Sequence, residues 1–241
     1  MREGLTYTVF TDFDGTITRN DLGDLIFEVF GDSEGTASGS SGSEDFRREA
    51  ERYWRRACAG VSGVTAEEFQ AFVDAQVIDA GFHEFAEYCS EHLIPLIVLS
   101  DGFDLYIRRV LDREKLGHLP VFSNELSIVE GGRFAPSFPY ADEECGACAN
   151  CKRNHLLTRS ADDSIVVYIG NGSSDCCPAR YADVVFAKEE LLRFCERENV
   201  TYHRFESFAG ILEKFRSLVE SARPRKRRTA ELARKEIFMR G

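Results

Sequence analysis

No run of apolar residues in the sequence approaches the roughly 20 that a membrane-spanning helix needs. The first thirty residues also lack the basic start and apolar stretch of a secretory leader. Both absences point to a cytoplasmic protein. Basic residues are scarce as well: 30 Lys and Arg stand against 41 Asp and Glu, for a net charge of −11. A body that binds nucleic acid needs the opposite balance, because phosphate backbones demand concentrated Lys and Arg. The scarcity is sharper than the total shows. Eight basic but only two acidic residues lie from Arg223 onward, which leaves 22 basic against 39 acidic before it. The pattern of a small disulfide scaffold is missing too. Eight cysteines spread over 241 residues, with Cys176 and Cys177 adjacent, are expected to be reduced thiols. There is no internal repeat.

What is present is an ordinary globular composition, 43% hydrophobic and 29% charged, long enough for one domain carrying an inserted module. Short apolar runs at Tyr7 to Thr11, Pro95 to Leu99, Ser164 to Ile169 and Asp183 to Ala187 read as strands buried on both faces, as in a parallel sheet. Helical patterns lie between them, such as Phe82, Phe85, Ala86 and Cys89 on one face. The expected fold is therefore α/β, an open parallel sheet flanked by helices. Residues 19–80 are helical and polar, with a capping box at Thr65 and Glu68, and read as a cap inserted after the first strand. Within it, 33–44 is a Gly/Ser-rich loop, and a helix is expected from Glu44 to Ala59. Residues 1–18 and 81–221 form the expected core, with a hairpin around Glu130-Gly131-Gly132. Residues 222–241 form a basic tail, expected to be a solvated end.

Three polar motifs begin where apolar runs end: Asp12 to Thr16, Ser100 to Gly102, and Gly170 to Asp175. Open α/β sheets bind ligands at that carboxyl edge. In Asp12-Phe13-Asp14-Gly15-Thr16 the two carboxylates leave the strand on one side while Phe13 points back into the fold. One carboxylate can attack phosphorus, and the other can move protons to the leaving group and from water. A calcium-binding EF-hand loop is excluded, because its sixth and twelfth positions would be Ile17 and Gly23 rather than Gly and Glu. Ser100-Asp101-Gly102 offers a hydroxyl and backbone N–H groups to an anion. Lys152 offers a cation, and Asn171 and Asp175 offer oxygens for a metal.

In this order and spacing, Asp12-x-Asp14-Gly15-Thr16, Ser100, Lys152 and Gly170-x-Gly172-x-x-Asp175 resemble the four signature motifs of haloacid dehalogenase-type phosphatases. The helical insert is similar to the small cap of the phosphoserine-phosphatase-like branch. The resemblance implies a Rossmann-like core and a small phosphorylated metabolite as substrate. It makes Asp12 the nucleophile and Asp14 the general acid and base. Thr16, Ser100, Asp101, Gly102 and Lys152 would bind phosphate, and Asp12, Asp14, Asn171 and Asp175 would surround Mg2+. Asn171 departs from the family, which usually has Asp there, and this keeps a non-catalytic phosphate-ester-binding protein open as an alternative.

Cys145-Gly146-Ala147-Cys148-Ala149-Asn150-Cys151-Lys152 and Thr18-x-Asn20-Asp21 are similar to the methylthioribose-salvage phosphatases acting on 2-hydroxy-3-keto-5-methylthiopentenyl-1-phosphate. Phosphoserine and phosphocholine or phosphoethanolamine phosphatases are the alternatives. Either Cys145, Cys148, Cys151 and His155 bind a structural metal, or the three cysteines are reduced thiols lining the site's mouth. Asp21, Trp54, Arg55 and Arg56 are the candidates for substrate specificity in the cap, although packing also accounts for Trp54 and a solvated face for the arginines.

Overall fold

The computed structural model describes residues 6–32, 50–142, 148–221 and 225–240. The Gly/Ser loop, the start of the Glu44 to Ala59 helix, Cys145 and residues 222–224 lie outside them. The chain groups into two compact units. One comprises Met1–Ile17, Ile78–Leu99 and Lys152–Gly241, and the other Thr18–Val77 and Ser100–Cys151. The second grouping joins 100–151 to the inserted helices, whereas the sequence reading attached that stretch to the core.

In chain order the elements are β1 (Tyr7–Thr11), α1 (Leu22–Phe30), α2 (Ala50–Ala59), α3 (Ala66–Asp74), α4 (Phe82–Glu91), β2 (Leu96–Phe103), α5 (Asp104–Arg113), β3 (Val121–Val129) and β4 (Arg133–Ser137). They continue with α6 (Lys152–Arg159), β5 (Ile165–Gly170), α7 (Cys176–Ala179), β6 (Val184–Ala187), α8 (Glu189–Arg197), β7 (His203–Arg204), α9 (Phe208–Val219) and α10 (Arg228–Arg240). The strands are ordered β4-β3-β2-β1-β5-β6-β7. Every pairing among β2, β1, β5, β6 and β7 is parallel, and β3 and β4 are antiparallel. All four expected strands are present to within a few residues. β1 and β5 are buried along their whole length, which is why each reads as an unbroken apolar run rather than an alternating one.

In the first unit α4 packs on α9 through Phe82, Phe85, Phe208 and Phe215, with Phe82 and Phe208 ring centroids 4.7 Å apart. In the second, Trp54 meets Phe27 at 5.5 Å and Phe103 at 5.1 Å, and Phe27 and Phe69 both meet Phe134 of β4. The hairpin also bonds by its backbone to the segment before α3, Gly63 N–H to Gly131 O at 2.8 Å and Val64 N–H to Gly132 O at 3.2 Å. Gly132 has φ +65°, and a Cβ there would lie 2.3 Å from Val64 N, so only glycine fits. These contacts tie the hairpin to the helices across some seventy residues of sequence, a separation that local patterning does not report. The Thr65–Glu68 capping box forms as expected.

The tail differs from a solvated end. α10 runs Arg228–Arg240 and buries Ala230. Asp183 explains it: this buried carboxylate accepts Val166 N–H, Arg227 N–H and both Arg234 contacts at 3.0 and 3.1 Å. Arg227 also donates to the Ala179 and Arg180 carbonyls. A buried carboxylate requires such partners, and in the sequence Asp183 looks like no more than the polar start of a strand. Among the described residues no helix is long and apolar enough to cross a membrane.

Candidate active site

The β1 ladder carries one residue past the strand, with Asp12 N–H bonding to Ile169 O at 2.9 Å. The chain then turns tightly, Thr16 N–H and Ile17 N–H both reaching Phe13 O. Phe13 and Ile17 are fully buried and anchor the turn, Asp12 is buried beside them, and Asp14 is half-exposed. Gly15 has φ +68°, and a Cβ there would come within 2.6 Å of Asn171 Nδ2. The turn therefore presses against the segment after β5, where the Thr16 hydroxyl donates to Asn171 Oδ1 at 2.9 Å.

Lys152, the first residue of α6, extends its ammonium into this junction and is almost fully buried. It donates to Asp12 Oδ1 at 2.6 Å, Asp175 Oδ1 at 2.7 Å and Ser174 Oγ at 3.0 Å. An ammonium has three protons, and all three are used. Burial alone would depress the Lys152 pKa, but the Asp12 and Asp175 carboxylates outweigh it and hold the ammonium above its ordinary value. Asp12 shifts the other way. Burial and then the Asp175 charge push it up to about 7, against the lowering effects of Lys152 and the Thr16 hydrogen bond. Two buried carboxylates facing one lysine leave an excess of negative charge at Asp12.

Asp175, expected among the metal ligands, is engaged by protein donors on both oxygens. Its Oδ1 accepts from Lys152 and from the Tyr168 hydroxyl at 2.6 Å, and its Oδ2 accepts the N–H groups of Asn171 and Gly172 at 2.9 and 3.0 Å. A carboxylate has about four lone-pair directions, and these four donors use them. Burial and the Asp175 and Asp12 charges hold the Tyr168 hydroxyl well above its usual range, so it stays a donor. Among the described residues no three His, Cys, Asp or Glu side chains are grouped to hold a metal. A magnesium donor set here has to be completed by an amide and by backbone. Asp12, Asn171 Oδ1 and the Asp14 carbonyl supply hard oxygens of that kind, and the surplus negative charge suits a cation.

Ser100, Asp101 and Gly102 lie within β2, which continues to Phe103 rather than ending at Leu99. Ser100 is fully buried and its Oγ accepts Gly102 N–H at 2.9 Å. Asp101 is held on three sides: Oδ1 takes Asn150 N–H, Oδ2 takes Trp54 Nε1 at 3.5 Å, and its carbonyl takes Asn124 Nδ2 at 2.6 Å. Asn150 also donates to Ser100 O and Phe122 O. The Asp101 side chain is thus a scaffold for the segment leading to Lys152.

The remaining expected residues fall mainly into structural places. Asp21 is the N-cap of α1 and accepts Asp24 N–H. Trp54 is buried in the aromatic cluster, Arg55 pairs with Glu51 and lies over Phe138, and Arg56 is exposed. Cys151 and His155 are buried, and burial followed by Arg159 lowers the His155 pKa to about 4. Cys58, Cys89, Cys176 and Cys195 are free thiols, with burial pushing the first three up to about 12. The sequence reading missed Tyr168, Ser174, Glu189, Asn124 and Asn150. Asn150 could have been found from its place two residues before Lys152.

Beside Asp21, the Asp24 carboxylate reaches solvent but is partly desolvated by its neighbours. This burial, then Asp21 and Glu28, raise its pKa to about 6. Because the folded value is raised, stability is lost as pH rises through about 6. Asp24→Asn should raise Tm at pH 8 by roughly 1–2 °C and leave it unchanged at pH 4. Solvent screening and the favourable helix N-terminus keep the effect small. An equal shift at both pH values would rule out ionisation as its cause.

Residues 9–180 match the family model of haloacid dehalogenase-like hydrolases. The chain is 28% identical over 227 residues to a 2-hydroxy-3-keto-5-methylthiopentenyl-1-phosphate phosphatase of Bacillus mycoides, covering 90% of this chain and 99% of that protein. It is 25% identical to the polyol phosphate phosphatase PYP1 of Saccharomyces cerevisiae, covering 88% and 93%. In fold it is similar to a phosphoserine phosphatase solved as a phospho-aspartyl intermediate analogue, with a TM-score of 0.64, 17% identity and coverage of 88% and 99%.

Proposed function

The chain belongs to the haloacid dehalogenase-like hydrolase family, and we propose that it is a magnesium-dependent phosphatase of small phosphorylated metabolites, working through an aspartyl-phosphate on Asp12. The observation that carries this reading is the buried junction in which Lys152 joins Asp12 to Asp175, with Asn171 against the Asp12–Thr16 turn.

Asp12 is the nucleophile. Lys152 fixes one of its oxygens, and the aspartyl-phosphate forms as the ester oxygen departs. Asp14, two residues on and half-exposed, gives that oxygen its proton and then takes one from the water that cleaves the acyl-phosphate. Lys152 balances charge on the phosphoryl oxygens. Asp175 keeps Lys152 in place and Asn171 and Gly172 at their turn. Asp12, the Asp14 carbonyl and Asn171 would hold magnesium, which when bound draws charge from the phosphoryl group as a Lewis acid. The substrate best supported is 2-hydroxy-3-keto-5-methylthiopentenyl-1-phosphate. The Bacillus mycoides relative bears that name and aligns along almost its full length, and the sequence from Cys145 to Lys152 is similar to that branch.

The test is phosphate release from a panel of enol, keto and polyol phosphates, phosphoserine and phosphocholine, with magnesium or with chelator. Release is expected only with magnesium and fastest from the enol phosphate. A polyol phosphate as the preferred ester would move the assignment toward the function named for the yeast relative. No release from any ester would remove the phosphatase.

A further inference from the structure

The amide of Asn171 can ligate a cation only through its oxygen, so it matters which of its two ends meets Thr16. Local geometry does not impose this choice, because the two ends of an amide are nearly the same size. Two contacts decide it. Oδ1 accepts the Thr16 hydroxyl at 2.9 Å, and Nδ2, the end nearer Gly15, donates to Glu189 Oε2 at 3.0 Å. Thr16 can donate or accept and so would tolerate either orientation, whereas a carboxylate accepts only. The Glu189 contact is the one that discriminates.

Glu189 is brought there by an uncommon backbone. It opens α8 with φ +51°, a left-handed value that few residues other than glycine adopt and that costs on the order of 1 kcal/mol or more. The start of α8 is pegged to the same turn by Lys188 N–H to Gly170 O at 3.4 Å and Leu191 N–H to Asn171 O at 2.9 Å. Asn171 is thus held by its side chain and its carbonyl to one short segment. Strain held in place by such contacts is most often found beside functional groups.

We infer that Glu189 is a positioning residue for the cation site: its carboxylate fixes the Asn171 amide with Oδ1 on Thr16 and returns, one residue further out, the negative charge that an aspartate at position 171 would carry. This rests on the magnesium reading above. An aspartate at 171 would face Glu189 carboxylate to carboxylate at about the present 3.0 Å, so the two positions are matched as a pair. Asn requires an acceptor at 189, and Asp is best served by a neutral donor there.

Binding of Mn2+, an oxygen-seeking stand-in for magnesium that can be counted by the EPR signal of the free ion, tests this without reference to turnover. Glu189→Ala should weaken Mn2+ binding about tenfold, the lower end of the range for outer partners of metal ligands. Glu189→Gln, which keeps an acceptor oxygen but loses the charge, should weaken binding by no more than about threefold. Against an Asn171→Asp background the sign should reverse, with Glu189→Gln tightening binding severalfold. A merely structural role for Glu189 gives no such reversal, and Tm measured alongside shows that each variant is folded. Wild-type binding left unchanged by Glu189→Ala, or a Glu189→Gln effect of the same sign in both backgrounds, would overturn the role of Glu189 while leaving the phosphatase intact. If wild type binds no Mn2+ and its phosphate release ignores chelator, the magnesium reading falls and this inference falls with it.

Discussion

Asp12→Asn is expected to lower phosphate release by at least about 10⁴-fold while leaving the fold intact. Loss of a covalent nucleophile removes the pathway itself, and comparable nucleophile deletions cost as much or more. Stability should move the other way or not at all. Asp12 is buried beside Asp175, and its pKa is raised to about 7. Asp12 therefore costs the metal-free protein stability, which is lost progressively as pH rises from the group's ordinary value to about 7. An asparagine keeps an oxygen for Lys152 and removes that charge. In chelator at pH 8, Tm of the variant should equal or exceed that of wild type, and the difference should shrink as pH falls and vanish only below the ordinary carboxylate pKa of about 4. Activity within tenfold of wild type would exclude Asp12 as the nucleophile, and a markedly lower Tm would mean that the substitution acted through the fold.

Lys152→Met should affect both fold and activity. The methionine fills much of the space but leaves Asp12 and Asp175 buried without their cation, a loss of about 3–5 kcal/mol. At this chain length that corresponds to a fall in Tm of roughly 10 °C. The fall should be smaller at pH 5 than at pH 8, because protonating Asp12 relieves the repulsion. Activity should drop by at least about 10²-fold, as for other electrostatic stabilisers. Adding Asp175→Asn should restore part of the Tm, since one of the two stranded charges is gone, but none of the activity. If Lys152→Met melts with wild type at pH 8, the ion pairs contribute nothing to the fold.

The sequence makes one part of this molecule plain. Buried parallel strands write themselves as unbroken apolar runs, so β1, β2, β5 and β6 can be seen, and with them the positions of Asp12, Ser100 and Asn171. Lys152 and Asp14 follow from motif order. What stays hidden depends on which distant atoms a side chain meets. Tyr168 sits inside an apolar strand, and nothing local says that its hydroxyl reaches Asp175. Glu189 reads as an ordinary acidic helix start, and Asn124 as a polar residue in a strand. Asp175 reads in sequence as a metal ligand, and nothing local says that its carboxylate accepts from Lys152, Tyr168 and the Asn171 and Gly172 N–H groups. The tail shows the same limit, since Asp183 and Arg234 are 51 residues apart.

The ammonium of Lys152 has no spare proton: Asp12, Asp175 and Ser174 take one each. On the proposed chemistry a phosphoryl oxygen therefore joins Lys152 by exchange rather than by addition. The partner that yields is Ser174, which is neutral and makes the longest of the three contacts, while the two carboxylates keep theirs. Water arriving alone offers no net charge in return for that hydroxyl, and a phosphate does. In its resting form the site thus carries an internal placeholder, one that solvent has little reason to displace and an anion has much.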